Sequence, residues 1–223
     1  MSFWRGTVLS AVIVVSFLSA SYAQSATTDT LQDLVSTQGS LAIGDKVFNN
    51  FDYFPSGLTN FDASQIRVTA SFSGGVYFLT FAGNMSLVSG GAATADLLLG
   101  YTVTAVNGLI DSADASYTGS AQPSGGSFLS VDETVRDSHG NVLGTMHMDG
   151  NHNSANLSID PAQTSLNVTK DLGFGIVNGG FVTISEVTQS FHQVIPEAGT
   201  SILFGLGFSL IALLAIRRQR CAD

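Results

Sequence analysis

Alternation of apolar and polar positions dominates the middle of the chain. Residues 66–73 (IRVTASFS) alternate over eight positions, which is typical of a strand with one buried face. Gly74-Gly75 follows, and residues 76–81 return with strand-forming side chains, so a hairpin is predicted. Further strands are predicted at 97–106, 128–135, 142–148, 156–159, 165–170, 174–177 and 181–191. The pattern predicts an all-β fold, an antiparallel β-sandwich or jelly-roll-like domain.

Turn and helix signals are consistent with that fold. Asn107-Gly108 is a strong type I′ turn pair at the end of a strand. Residues 119–126 (GSAQPSGG) are the longest loop candidate, yet eight residues suit a connection within one domain. The sole helical candidate is 30–36, where Thr30 and Asp33 are suited to cap one or two turns. A single domain over 24–195 is therefore expected.

The first 23 residues are typical of a secretory signal peptide. Arg5 supplies a positive charge, and residues 8–18 form an apolar run interrupted only by two serines. Ser21-Tyr22-Ala23 places small residues at the two positions that a signal peptidase inspects, so cleavage is predicted after Ala23. The alternative, an uncleaved N-terminal anchor, suits this run less well because the run is short for a membrane span.

A second apolar segment lies near the C-terminus. Residues 198–216 are 19 residues without a charge, and at about 1.5 Å per residue such a helix approaches the thickness of a bilayer core. Arg217, Arg218 and Arg220 follow directly. Because positive charges remain on the cytoplasmic side, the residues before Pro196 are expected outside. A buried core helix is the alternative, and it explains the adjoining arginines poorly.

The order of these C-terminal parts resembles a PEP-CTERM sorting signal. In this chain the parts are Pro196-Glu197-Ala198, one apolar helix over 198–216, and a basic tail over 217–220. The family carries a second proline where this chain has Ala198. The resemblance implies export across the inner membrane of a Gram-negative bacterium, anchoring by the helix, and processing by an exosortase-like enzyme. The product would reach the cell surface or extracellular matrix, whereas the alternative is a plain single-pass membrane protein.

The charge balance restricts the partners of the domain. Residues 24–195 hold four basic and 15 acidic side chains, a net charge of −11. A nucleic-acid partner is excluded, because phosphate binding needs clustered Lys and Arg. The single cysteine, Cys221, lies beyond the domain, so no internal disulfide can form. The domain must therefore be held together without a disulfide framework.

One polar segment has the spacing of a cation loop. Asp149, Asn151 and Asn153 alternate, and Asp160 lies eleven residues after the first of them, as in a calcium loop. Ser154 stands where that loop needs glycine, and no bidentate glutamate is present. A zinc site made of His147, His152 and Asp137 is the second reading, but the spacing matches no standard motif. A turn-rich hairpin loop is therefore expected, with no metal and no cofactor assigned.

Catalytic motifs are not found in the sequence of the domain. It has no G-x-S-x-G elbow, no S-x-x-K and no cysteine, so a structural role is expected, not an enzyme. The main rival is a carbohydrate-binding module in an exopolysaccharide matrix. Its candidate binding loop is 49–54 (NNFDYF). The only tryptophan, Trp4, lies in the predicted signal peptide, so only tyrosine and phenylalanine rings of the domain could stack on a sugar.

Overall fold

The chain forms a sandwich of two six-stranded antiparallel sheets. A computed structural model describes residues 25–58, 60–122 and 126–194. The strands are β1 (Thr27–Thr30), β2 (Leu41–Ile43), β3 (Lys46–Ser56), β4 (Arg67–Ser73), β5 (Val76–Ser89), β6 (Ala93–Ala105), β7 (Leu109–Gln122), β8 (Ser127–Arg136), β9 (Val142–Asp149), β10 (Ser154–Gln163), β11 (Ser165–Ile176) and β12 (Gly180–Val194). A short helix, α1 (Leu31–Ser36), and one 3₁₀ turn, Ala63–Gln65, complete the described elements.

The two sheets share the strands evenly. The first sheet has the order β1-β4-β5-β12-β7-β10, and the second has the order β2-β3-β6-β11-β8-β9. Every strand pair is antiparallel. The last two strands lie inside the sheets, because β11 pairs with β6 and β8 while β12 pairs with β5 and β7. The second sheet is therefore complete only with β11, which ends at Ile176, and the first sheet only with β12, which ends at Val194.

Aromatic side chains from both sheets meet in the core. Tyr101 lies 5.8–6.5 Å, between ring centroids, from Phe48, Phe51, Phe81 and Phe191. Two of these phenylalanines come from β3 of the second sheet, and the other two come from β5 and β12 of the first. All five residues are buried. Burial of so much aromatic surface stabilises the contact between the sheets.

Three local sequence signals are confirmed. The all-β, antiparallel sandwich is present, and Gly74-Gly75 joins β4 to β5 with φ values of 60° and 88°. Positive φ at both central residues is the geometry of a two-residue hairpin turn, which glycine adopts without strain. Helix α1 begins as predicted, since Thr30 Oγ1 accepts a hydrogen bond from the Asp33 amide at 3.1 Å.

Two other predictions are corrected. The first half of the predicted loop at 119–126 is strand, because β7 continues to Gln122, and β8 starts at Ser127. Asn107-Gly108 does not close a hairpin: β6 and β7 belong to different sheets, and only Gly108 of this pair has a positive φ. Both errors arise because a turn signal marks a change of direction but does not say which sheet the next strand joins.

The predicted membrane and sorting segments lie outside the described residues. This holds for the signal peptide at 1–23, the Pro-Glu motif, the apolar helix at 198–216 and the arginines that follow it. Within the part of the chain that the structure covers, no helix has the length and apolar character of a membrane span.

Candidate functional site

An open groove lies where β7 of the first sheet passes to β8 and β9 of the second. Its volume is about 980 Å³, and its lining combines aromatic and planar polar side chains. Phe128 is 53% exposed, and in this structure a Cβ at Gly175 would lie within 2 Å of its ring. The bare glycine therefore leaves room for the Phe128 ring beside it. The polar lining includes His147, Asp149, Asn151 and Asn153.

His147 forms an ion pair at the edge of this groove. Its Nδ1 lies 2.6 Å from Asp132 Oδ1, across the β8–β9 pair in which the two residues are directly opposite. The hydrogen bond to Asp132 and the charge of that carboxylate raise the pKa of His147 above 6.5. Both side chains are exposed, so solvent screens the interaction. The pair gives the groove one cationic group whose charge depends on pH near neutrality.

Asp149, the first residue of the candidate calcium loop, stabilises a turn. Asp149 Oδ1 accepts hydrogen bonds from the amides of Asn151 and His152 at 2.8 and 2.9 Å. These two bonds lower the pKa of Asp149. Asp160, the most distant of the four predicted calcium ligands, lies in β10. The segment has the hydrogen bonding of a turn, as the hairpin-loop interpretation predicts.

The alternative zinc set is not brought together. Asp137 lies in the turn before β9, where its carboxylate accepts bonds from the amides of His139 and Asn141 at 2.8 and 2.9 Å. His152 lies in the turn after β9, at the opposite end of that strand. Among the described residues, no three His, Cys, Asp or Glu side chains are grouped as metal ligands.

The candidate sugar-binding loop at 49–54 is part of β3, so its assignment as a loop is wrong. Phe51 is buried in the core, and Asp52 fits against Gly100, where an added Cβ would lie 1.9 Å from its Oδ1. Phe54 is 63% exposed on the outer face of the second sheet, opposite Leu98. A bulge between Asn49 and Asp52 shifts the register and decides which side chains point inward.

A serine, an aspartate and a histidine meet on the first sheet, a set that no sequence motif indicated. Asp114 Oδ2 accepts a hydrogen bond from Ser190 Oγ at 3.1 Å and lies 2.7 Å from His192 Nε2. The Asp114 carboxylate thus lies between the other two groups, and both the His192 imidazole and the Ser190 hydroxyl bond to it. A nucleophilic relay needs the imidazole between the other two groups. The cluster therefore lacks the geometry that would activate Ser190.

Sequence reasoning also missed a polar cluster inside the core. Lys170 of β11 contacts Glu133 of β8, which is directly opposite, and Gln189 of β12 in the other sheet. All three side chains are buried. Glu133 Oε1, Gln189 Nε2 and the Tyr101 hydroxyl have no hydrogen-bond partner among the described atoms. Burial, and then the Glu133 charge, raise the pKa of Tyr101 well above its usual value.

The other lysine of the domain is buried as well. Lys46 of β3 contacts Gln193 of β12 and lies 2.8 Å from Asp45 Oδ1. Its ammonium also lies 4.3 Å from the centroid of the Tyr77 ring, the geometry of a cation–π contact. Both lysines of the domain thus contact one acid and one glutamine on β12.

The residues predicted for export lie beyond the described chain. These are Ala23 at the predicted signal cleavage, the motif Pro196, Glu197 and Ala198, and the topology-setting Arg217, Arg218 and Arg220. They remain sequence-based predictions.

No family model and no curated protein matches the sequence. Among solved structures, the Gap123 glycosylation-associated protein complex of Streptococcus agalactiae is similar at 11% identity and a TM-score of 0.31, over 70% of this chain and 27% of that chain. The carbohydrate-binding module TmCBM61, in complex with β-1,4-galactotriose, gives 12% identity, 63% and 87% coverage and a TM-score of 0.31. A structure described as CBM4 is similar at 12% identity and a TM-score of 0.26, over 63% of this chain and 86% of that chain. These values carry no conclusion about the activity of this chain.

Proposed function

We propose that this chain is an exported cell-surface or extracellular-matrix protein that an exosortase-like enzyme sorts through its C-terminal signal. The β-sandwich is its structural part and catalyses no reaction on an external substrate. The C-terminal helix holds the chain in the membrane until processing, and the arginines at 217–220 set its orientation. The high acidity of the domain favours solubility and keeps copies apart on the surface.

One observation carries this proposal: the last described strand reaches to within two residues of the sorting motif. Strand β12 remains paired with β7 up to Val194, which is opposite Leu109. Pro196 is only two residues further along the chain. Because proline lacks an amide hydrogen and disfavours helix at the preceding residue, an extended segment is expected there. Cleavage at Pro196-Glu197 would leave every described strand intact, which suits a signal that is removed after export.

The test is the C-terminus of the mature protein in its native host. Mass spectrometry of the surface-exposed form should find an end at or near Pro196-Glu197. Replacing both residues with alanine should preserve membrane insertion, which depends on the helix, and block release. Ala198→Pro is the matched control, because it restores the motif of the family and should be processed at least as well as the native chain. A mature form that retains residues 203–216 would contradict the proposal and leave a single-pass membrane protein.

Glycan binding at the open groove is a second candidate function. The observation in its favour is the exposed ring of Phe128 beside His147, Asn151 and Asn153. Sugar rings stack on exposed aromatic faces, and planar amide and imidazole groups bond their hydroxyls. A polysaccharide matrix is also the setting that the sorting signal implies.

A glycan array with the soluble 24–195 fragment would test this candidate. Phe128→Ala should abolish any binding that the native fragment shows. Phe54→Ala is the matched control, because Phe54 is also more than half exposed on the second sheet but does not line the groove. Binding that survives Phe128→Ala would place the glycan elsewhere, and a fragment that binds no glycan would leave the structural role alone.

A further inference from the structure

Lys170, Glu133 and Gln189 bring an amine, a carboxylate and a carboxamide together in the buried core. Lys170 Nζ lies 2.5 Å from the Gln189 carboxamide oxygen and contacts Glu133 Oε2. Lys170 and Glu133 are neighbours within the second sheet, while Gln189 reaches across from the first sheet. The amine is therefore in contact with the carboxamide group, whose carbon is bonded to the contacted oxygen. Reacting groups held this closely have a large kinetic advantage over free ones.

As a purely noncovalent cluster, this arrangement is incompletely satisfied. Glu133 Oε1 and Gln189 Nε2 are buried and have no partner among the described atoms. A buried ion pair offsets its loss of hydration only when the remaining lone pairs and protons are also bonded. The loss of Gln189 Nε2 as ammonia would remove the unpartnered donor, and an amide at Lys170 would remove the buried positive charge. One reaction therefore removes both the unpartnered donor of Gln189 and the buried charge of Lys170.

We propose that Lys170 and Gln189 form an intramolecular isopeptide bond, with Glu133 as the catalytic residue that transfers the proton. The ligand of this site is the chain itself, and the product links β11 of the second sheet to β12 of the first. The proposal does not depend on the route of export or on glycan binding.

The reaction balances without an oxidant or cofactor. Glu133 takes a proton from the Lys170 ammonium, which frees the lone pair on Nζ. Nζ attacks Cδ of Gln189, and the carbonyl electron pair moves to Oε1 to give a tetrahedral intermediate. Glu133 passes a proton to the carboxamide nitrogen and accepts one from Nζ, the Cδ–Nε2 bond breaks, and the carbonyl re-forms. Glu133 then gives the proton that it accepted from Nζ to the departing ammonia, which leaves as ammonium, and the Glu133 carboxylate is restored.

Lys46 provides an internal comparison with different chemistry. It too contacts an acid and a glutamine, Asp45 and Gln193, but its nitrogen lies over the face of the Tyr77 ring. A cation–π contact stabilises the ammonium form, which has no lone pair for attack. Gln193 is also only partly buried. Lys46 is therefore expected to retain its free amine.

The bond would link an internal strand of one sheet to an internal strand of the other. Strands β11 and β12 are internal strands of the two sheets, and the domain contains no cysteine to link them. A covalent link between residues 170 and 189 restricts the unfolded chain as a disulfide does, and reducing agents cannot break it.

Peptide mass spectrometry of the full chain, purified in detergent and denatured before digestion, tests the proposal. Trypsin should fail to cut after Lys170. Chymotrypsin, which cuts after Phe174 and Phe181, should leave the Lys170 and Gln189 peptides joined, with a mass about 17 Da below their sum because one ammonia is lost. Fragment spectra should place the link on these two side chains. A Lys170 peptide with a free amine in the native protein would overturn the proposal.

Variants separate the reaction from mere proximity. Glu133→Gln keeps the size of the side chain but removes the proton acceptor, so both peptides should appear unlinked and trypsin should cut after Lys170. A link that persists in this variant would overturn the role assigned to Glu133. Asp45→Asn is the matched control on the other lysine, and the link between Lys170 and Gln189 should persist in it. The masses of the native protein decide the question even if a variant fails to fold.

Discussion

At the scale of single residues, the surprising side chains are polar ones at inward positions. Lys170 continues an alternation with Val168 and Leu172, and Glu133 does the same between Val131 and Val135. All of these side chains point into the sandwich, because the side-chain period of a strand is two. This signal was present in the sequence. It was missed because a lysine in a strand ordinarily marks the solvent face.

His147 carries the residue-scale prediction. Its raised pKa means that the stabilisation from Asp132 is fully present below about pH 6.5 and is lost as the pH rises through the raised value. An NMR titration should give a pKa for His147 above 6.5 in the native protein. Asp132→Asn should lower this pKa clearly, because Asp132 supplies the hydrogen bond and most of the charge effect.

Asp149→Asn is the control for that titration. Asp149 acts on His147 only through its charge and is the smallest of the causes, so its replacement should move the pKa less than Asp132→Asn does. Equal effects of the two variants, or a native pKa at or below 6.5, would contradict the ion pair.

At the scale of elements, most strands with large alternating apolar side chains were predicted, whereas β7, which is rich in small ones, was not. Strand β7 (LIDSADASYTGSAQ) contains mainly residues of low strand propensity. It nevertheless pairs with β12 on one side and β10 on the other. Ala113 and Ala115 of β7 are buried in the core, where the neighbouring strands impose the extended conformation. Tertiary pairing has thus overridden local preference.

Strand β12 carries the element-scale prediction. It lies between β5 and β7 in the first sheet and pairs with both, and it contributes Phe191 to the aromatic core. A chain that ends after Val194 should retain the β-sheet signal in circular dichroism and resist limited proteolysis. A chain that ends after Thr188 loses Phe191 and the last ladder contacts, and it should be unfolded and quickly digested. Equal protease resistance of the two chains would show that the end of β12 is dispensable.

At the scale of the whole molecule, the sandwich is a cysteine-free, acidic body whose stability comes from burial between two sheets. About 170 residues suffice to bury some 70% of the surface of the unfolded chain. Acidic groups are spread over both outer faces, and Asp171 shows their mutual effect. Burial, and then the charges of Asp96 and Asp132, raise its pKa.

The whole-molecule prediction concerns the 24–195 fragment. It should be soluble and β-rich, and it should show tyrosine-like emission because the only tryptophan is Trp4. Its melting temperature should not change with reducing agent, since it contains no cysteine. Calcium should shift the melting temperature little, and Asp149→Ala should not alter that response. A calcium-dependent rise of several degrees that Asp149→Ala abolishes would revive the calcium loop.

The sequence by itself determined the class of fold, the first hairpin, the helix cap and the absence of any disulfide within the domain. It also predicted the export and sorting segments. These features depend on neighbouring residues, which interact whatever the rest of the chain does. Only the tertiary structure decided that β7 is a strand, that residues 49–54 belong to a sheet, and that Asn107-Gly108 leads from one sheet to the other. The meeting of Glu133, Lys170 and Gln189 was decided at that level too. These residues come from three strands in two sheets, and their contact depends on strand order and register, which no local pattern encodes.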